Sequence, residues 1–127
     1  MNVAELKAAV MFQTNNDADD LEDFMPSLMD YLNDGYDRLV VAWAGVHPEE
    51  TRDDYTPLAD DDDVPALPSW THGAIADWAT WLVYRNGNQQ KQNRGYPFRS
   101  SFDDMVGRIR AEGGAGGAVR KFYNIPR

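Results

Sequence analysis

Apolar positions along this chain fall into four stretches of helical periodicity, separated by polar or proline-bearing breaks. The richest is Leu67 to Gly87, LPSWTHGAIADWATWLVYRNG, which opens on the helix-start signal Pro68-Ser69 and closes on the helix-stop signal Asn86-Gly87. Ile75, Trp78 and Leu82 form one stripe at helical spacing, and Trp70, Ala74, Trp81 and Tyr84 form a second. A helix apolar on more than one side is wrapped by others. This stretch is therefore expected to be the central helix, with Trp70, Ile75, Trp78, Trp81 and Leu82 as a packing hub. Its aromatics are read as core, since burying large rings is their usual work, and not as cofactor contacts.

The remaining helices are plainer. Asn2 and Glu5 have the spacing of a capping box, and Val3, Leu6 and Val10 then mark a first helix through Phe12. Thr14-Asn15-Asn16-Asp17 breaks it. Asn15, Asp17 and Asp19 alternate as in a calcium loop, but Asp20 stands where the glycine belongs and Pro26 where the final glutamate belongs, so that reading fails. A second helix runs to about Trp43, with Leu28, Leu32, Tyr36, Leu39 and Trp43 as its stripe. Pro26 is tolerated only in a first turn, which moves the start to Phe24 or Met25. Gly35 in mid-helix costs roughly 1 kcal/mol against alanine, and a close helix crossing there would account for it. Asn88 to Arg94 reads as a polar hinge and Gly95-Tyr96-Pro97 as a break. A last helix is expected from Pro97 or Ser100 to Ala111, with Phe98, Phe102, Met105, Val106 and Ile109 inward and Arg99, Arg108 and Arg110 facing elsewhere.

Two segments stand apart. Residues 45–66 form a long connection whose prolines argue against regular structure, and loops of this length are often functional. It carries Asp53, Asp54 and the run Asp60, Asp61, Asp62 and Asp63, read as a solvated acidic loop facing a channel or a neighbouring subunit. Gly113-Gly114-Ala115-Gly116-Gly117 reads as a flexible linker. Beyond it Arg120, Lys121 and Arg127 interleave with Val119, Phe122, Tyr123 and Ile125, the composition of a docking arm. The expected fold is all-α: a four-helix domain over residues 1–112, a long acidic loop between helices 2 and 3, and a linker and docking arm over residues 113–127.

Composition removes much chemistry. The chain of 127 residues has no cysteine and two histidines, His47 and His72, so thiol catalysis and thiolate metal sites are excluded. His72 is placed in the first turn of the central helix, without a metal role. Phosphate loops, nucleophile elbows and metalloprotease motifs are absent from the sequence. Catalytic residues, cofactors and metals are therefore not expected, and nor is an enzyme. No apolar run approaches the ~20 residues of a membrane helix, and the N-terminus lacks the pattern of a signal peptide, so assembly in a cytoplasm is expected. The net charge of −9 hides a polarity: residues 1–64 carry 17 acids against 3 bases, a net of −14, and residues 65–127 carry 4 acids against 9 bases, a net of +5. Such a division suits an acidic surface shown to something it must not hold, or one that complements its own other end.

The phrases YLNDGYDRLV at Tyr31 to Val40 and LPSWTHGAIADWATWLVYRNGN at Leu67 to Asn88, joined by the proline-rich acidic connection, resemble the head-to-tail connector, or adaptor, proteins of tailed bacteriophages. The likeness covers roughly residues 2–112. It implies a helical virion protein at the head-tail interface, forming a ring, typically a dodecamer, beneath the portal protein. DNA passes through its channel without specific binding, and the next tail or stopper component lands on it. The glycine-rich segment and the FYNIPR ending match no motif of that family. An arm there would reach another virion protein. Two other classes remain open: an acidic regulatory protein that mimics DNA to bind a basic partner, and a different head-completion or tail-completion component.

Overall fold

The computed structural model describes residues 1–14, 24–51 and 54–118, with side chains through residue 112. Among the described residues there are four α-helices and no strand: α1 (Val3–Gln13), α2 (Leu28–Val46), α3 (His72–Arg85) and α4 (Gln89–Ala118). Single 3-10 turns, Met25–Ser27 and Ser69–Thr71, lead into α2 and α3. Pro26 lies in the first of these turns, where a missing N–H costs nothing.

α3 is the centre. Ten of its 14 residues are buried, so it is enclosed on nearly every side. α2 runs antiparallel to it, with Trp43 near Trp70 at one end and Tyr31 bonded to Asn86 at the other. Gly35 marks the crossing: a Cβ there would lie 3.1 Å from Trp78 Cβ and 3.3 Å from the Ile75 carbonyl. α4 packs antiparallel to α3 on another side, joined by Trp81 with Tyr96, Trp78 with Phe102 and Tyr84 with Phe98. α1 lies parallel to α3. Its start is capped by the Asn2–Glu5 box, and Val3, Leu6 and Val10 are fully buried.

The last helix differs from expectation. From the sequence, Gly95-Tyr96-Pro97 ends one segment and a new helix begins near Pro97. In the structure α4 begins at Gln89 and passes straight through. Asn88 starts it, its side chain accepting from the Lys91 N–H at 3.0 Å and its carbonyl from the Gln92 N–H at 2.9 Å. Pro97 in a helix interior removes one hydrogen bond and crowds the preceding turn, a cost of about 3 kcal/mol or more. Packing on both flanks outweighs it. Gly95 lets α4 approach so closely that a Cβ would sit 2.7 Å from Tyr84 Cβ, Tyr96 stacks on Trp81 at 5.2 Å, and Phe98 stacks on Tyr84 at 6.3 Å. A second difference lies at the other end: Gly113–Gly117, read as a linker, is helical backbone to Ala118.

Candidate interaction surfaces

The hub residues Ile75, Trp78, Trp81 and Leu82 are buried, and Trp70 is half-buried just ahead of α3. Each of these three tryptophans carries an arginine on its face: Arg38 lies 4.5 Å from the Trp78 ring, Arg99 5.4 Å from Trp81 and Arg108 4.3 Å from Trp70. Arg99 and Arg108 thus do not turn away from the core, as the helical stripe suggested. Their long stems let exposed charges close over buried rings, a cation–π contact worth about 0.5–1 kcal/mol at exposed sites. His72 is buried and uses both ring nitrogens. Its Nε2 is 2.8 Å from the Leu67 carbonyl and can only donate there, which leaves Nδ1 to accept from the Met1 ammonium at 2.9 Å.

The acidic connection is built into the body. Leu58, Pro65 and Leu67 are buried, and Asn33 on α2 holds both backbone groups of Leu58, accepting from its N–H at 2.8 Å and donating to its carbonyl at 2.9 Å. The Tyr36 hydroxyl accepts from the Ala66 N–H. Glu50 receives the Trp43 indole N–H at 2.8 Å and the Tyr55 hydroxyl at 2.9 Å. Burial first, and the Glu50 carboxylate second, push the Tyr55 phenol up to about 12.

Within the aspartate run the four residues divide. The carbonyls of Asp63 and Asp61 accept from the N–H groups of Val3 and Ala4 at 2.9 and 3.1 Å, two donors that a helix start leaves without internal partners. The Asp61 carboxylate also pairs with Lys7 at 2.9 Å. Asp63 turns back on its own loop, accepting from Ala59 and Asp60 N–H groups, and these bonds hold its carboxyl below the usual range. Asp60 and Asp62 stay exposed. Asp54 is exposed as well and accepts from the Thr51 N–H at 2.8 Å. Asp53 and the arm residues Val119 to Arg127 lie outside the described residues.

Two grooves flank α2. One, of about 680 Å³, has Tyr36, Tyr55 and Pro57 as walls and Asp30, Asp34 and Asp37 along its α2 side; its described lining contains no base. The other, of about 480 Å³, runs between α2 and α4 over Val41, Trp78 and Phe102, with Arg38, Arg99 and Arg110 among its rim. Asp34 stands between the two, accepting from the Trp78 indole at 2.6 Å and from Arg38 at 3.0 Å. Sequence periodicity places Asp34 and Asp37 only on the polar side of α2, and nothing in it marks Asn33 or Tyr55 as groove-forming. Among the described residues no three His, Cys, Asp or Glu side chains cluster so as to hold a metal ion, and no helix is long and apolar enough to cross a membrane. Comparison with family models, with curated proteins and with solved structures finds no match.

Proposed function

We propose that this chain is a structural subunit of the head-to-tail adaptor ring of a tailed bacteriophage, seated beneath the portal protein and extending the DNA channel toward the tail. The observation that carries this reading is where the resemblance falls. The phrases at Tyr31 to Val40 and Leu67 to Asn88 are the two helical segments that cross at Gly35 and Trp78, so the likeness lies in the packed frame of the domain. The surface chemistry supports it. Exposed carboxylates at Asp60 and Asp62 would repel passing DNA, whereas the arginines concentrate on the later half of the chain. A ring of like subunits needs such unlike faces to meet.

The reading is tested by mixing the full-length chain with the portal ring of the same virus and measuring mass by light scattering, with electron microscopy of the product. A closed ring of this chain bound coaxially to the portal is the expected result. A chain that ignores the portal and forms a one-to-one complex with a basic protein overturns it in favour of the acidic mimic.

A further inference from the structure

We infer that residues 119–127 of one copy dock in the tyrosine-walled acidic groove of a second copy, so that copies associate by exchanging arms. The inference stands whether or not the assembly belongs to a virion. The groove offers two kinds of contact at once: the rings of Tyr36 and Tyr55 with Pro57, and the carboxylates of Asp30 and Asp34 one helical turn apart on α2. The segment VRKFYNIPR supplies the counterpart of each, with Phe122 and Tyr123 for the walls and Arg120, Lys121 and Arg127 for the carboxylates. Aromatic and arginine side chains are the usual anchors of a peptide in such a site, and the volume of about 680 Å³ suits a few large side chains.

Reach separates a chain's own groove from its neighbour's for the two bases nearest the helix. Trp78 contacts both Asp34 and Phe102, which sets the middle of the groove level with Phe102 on α4. From Phe102 to Ala118 the helix rises about 24 Å in the direction away from that level. Arg120 and Lys121 stand two and three residues past the helix, a backbone span of at most about 11 Å. They cannot return to Asp30 and Asp34 of their own chain. Ile109 is the last core residue of α4 among the described side chains, and Arg110, Ala111 and Glu112 beyond it are all exposed. The groove that Arg120 and Lys121 fill is then that of a second copy.

The chain has no cysteine, so one introduced pair reports the contact. Full-length Pro57→Cys and Tyr123→Cys copies, purified separately and mixed under mild oxidation, are expected to form a disulfide-linked pair. Yield should exceed by about tenfold that of Phe12→Cys with Tyr123→Cys, whose partner position is exposed on α1. Thr56→Cys, at an exposed neighbouring position, serves if Pro57→Cys disturbs the loop. Asp30→Lys in the groove-bearing copy should lower the yield about tenfold, since it places a base against the arm's bases. Linking no greater than the Phe12→Cys control, linking indifferent to Asp30→Lys, or a double variant that closes within a single chain overturns the inference. A link between copies without closed rings removes the ring reading alone, and closed rings without the link remove arm exchange alone.

Discussion

Trp78 and Trp81 are three residues apart on α3, both in the core, and their indole N–H groups have different surroundings. Trp78 donates to Asp34, while the buried Trp81 Nε1 has no partner among the described residues. A buried donor left unpaired costs about 1–3 kcal/mol, so removing it recovers part of what the lost ring volume takes away. Trp81→Phe is therefore expected to lower stability by at least about 1 kcal/mol less than Trp78→Phe, read from urea unfolding midpoints. Equal costs would mean that the Trp81 donor is satisfied in solution. Asp77 gives a pH-dependent case. Its side chain accepts from Gln13 on α1, but burial raises its pKa and the Gln13 bond only partly opposes this. A raised folded-state pKa favours the protonated carboxyl, so its stabilising contribution is complete below the ordinary value of 3.8 and is lost as pH rises through the folded value. Asp77→Asn keeps the acceptor for Gln13 without the charge. It is expected to raise the melting temperature at pH 7, and the gain over the parent chain should vanish as pH falls toward the ordinary carboxylate value. A gain that persists unchanged in acid would rule out desolvation of Asp77 as its cause.

α4 is the element in which local signals and packing disagree most. Gly95 and Gly107 lie in the same helix and have opposite surroundings. A Cβ at Gly107 meets nothing within 4 Å, whereas one at Gly95 would lie 2.7 Å from Tyr84 Cβ and 2.9 Å from the Trp81 ring. Gly107→Ala should stabilise by up to about 1 kcal/mol through helix propensity. Gly95→Ala gains the same propensity but wedges α4 off α3, and overpacking of this kind costs about 1–3 kcal/mol, so a net loss is expected in thermal unfolding. Stabilisation by both substitutions would mean that α4 is not seated on α3 at Gly95. The same element marks how far the fold is legible without coordinates. At Gly35 spacing gives only a costly mid-helix glycine, its close crossing needing α3 in place, whereas the stripes of α1, α2 and α3 follow from spacing alone. α4 does not. Gly-Tyr-Pro is a sound breaker by local rules, and its reversal comes from Tyr96 and Phe98 stacking on Trp81 and Tyr84, contacts invisible until α3 is in place.

Across the whole molecule, the division of charge between the two halves is plain in the sequence, but its use is not. Of the four adjacent aspartates, Asp61 and Asp63 hold the connection against the start of α1, and no local pattern distinguishes them from Asp60 and Asp62. Likewise the exposed arginines over the tryptophans become packing elements only once α2, α3 and α4 meet. Ion pairs among the described residues lie at the surface: Lys7–Asp61, Arg38–Asp34, Arg99–Asp103 and Arg108–Glu112 each leave a third or more of both side chains in solvent. Such pairs contribute about 0–1 kcal/mol each, and salt screens even that. The core of Val3, Leu6, Leu32, Leu39, Ile75 and Ile109, all at or below 1% exposure, is indifferent to salt at this level. Under the arm exchange inferred above, charge at Asp30 and on the arm acts between copies. Raising salt from 0.1 to 1 M shortens the screening length from about 10 to about 3 Å. The dissociation constant between copies, measured by sedimentation, is then expected to rise by about tenfold or more, while the melting temperature of the single domain shifts little. A melting temperature that falls steeply with salt, beside an unchanged dissociation constant, would reverse the assignment and place the charge division in the service of folding.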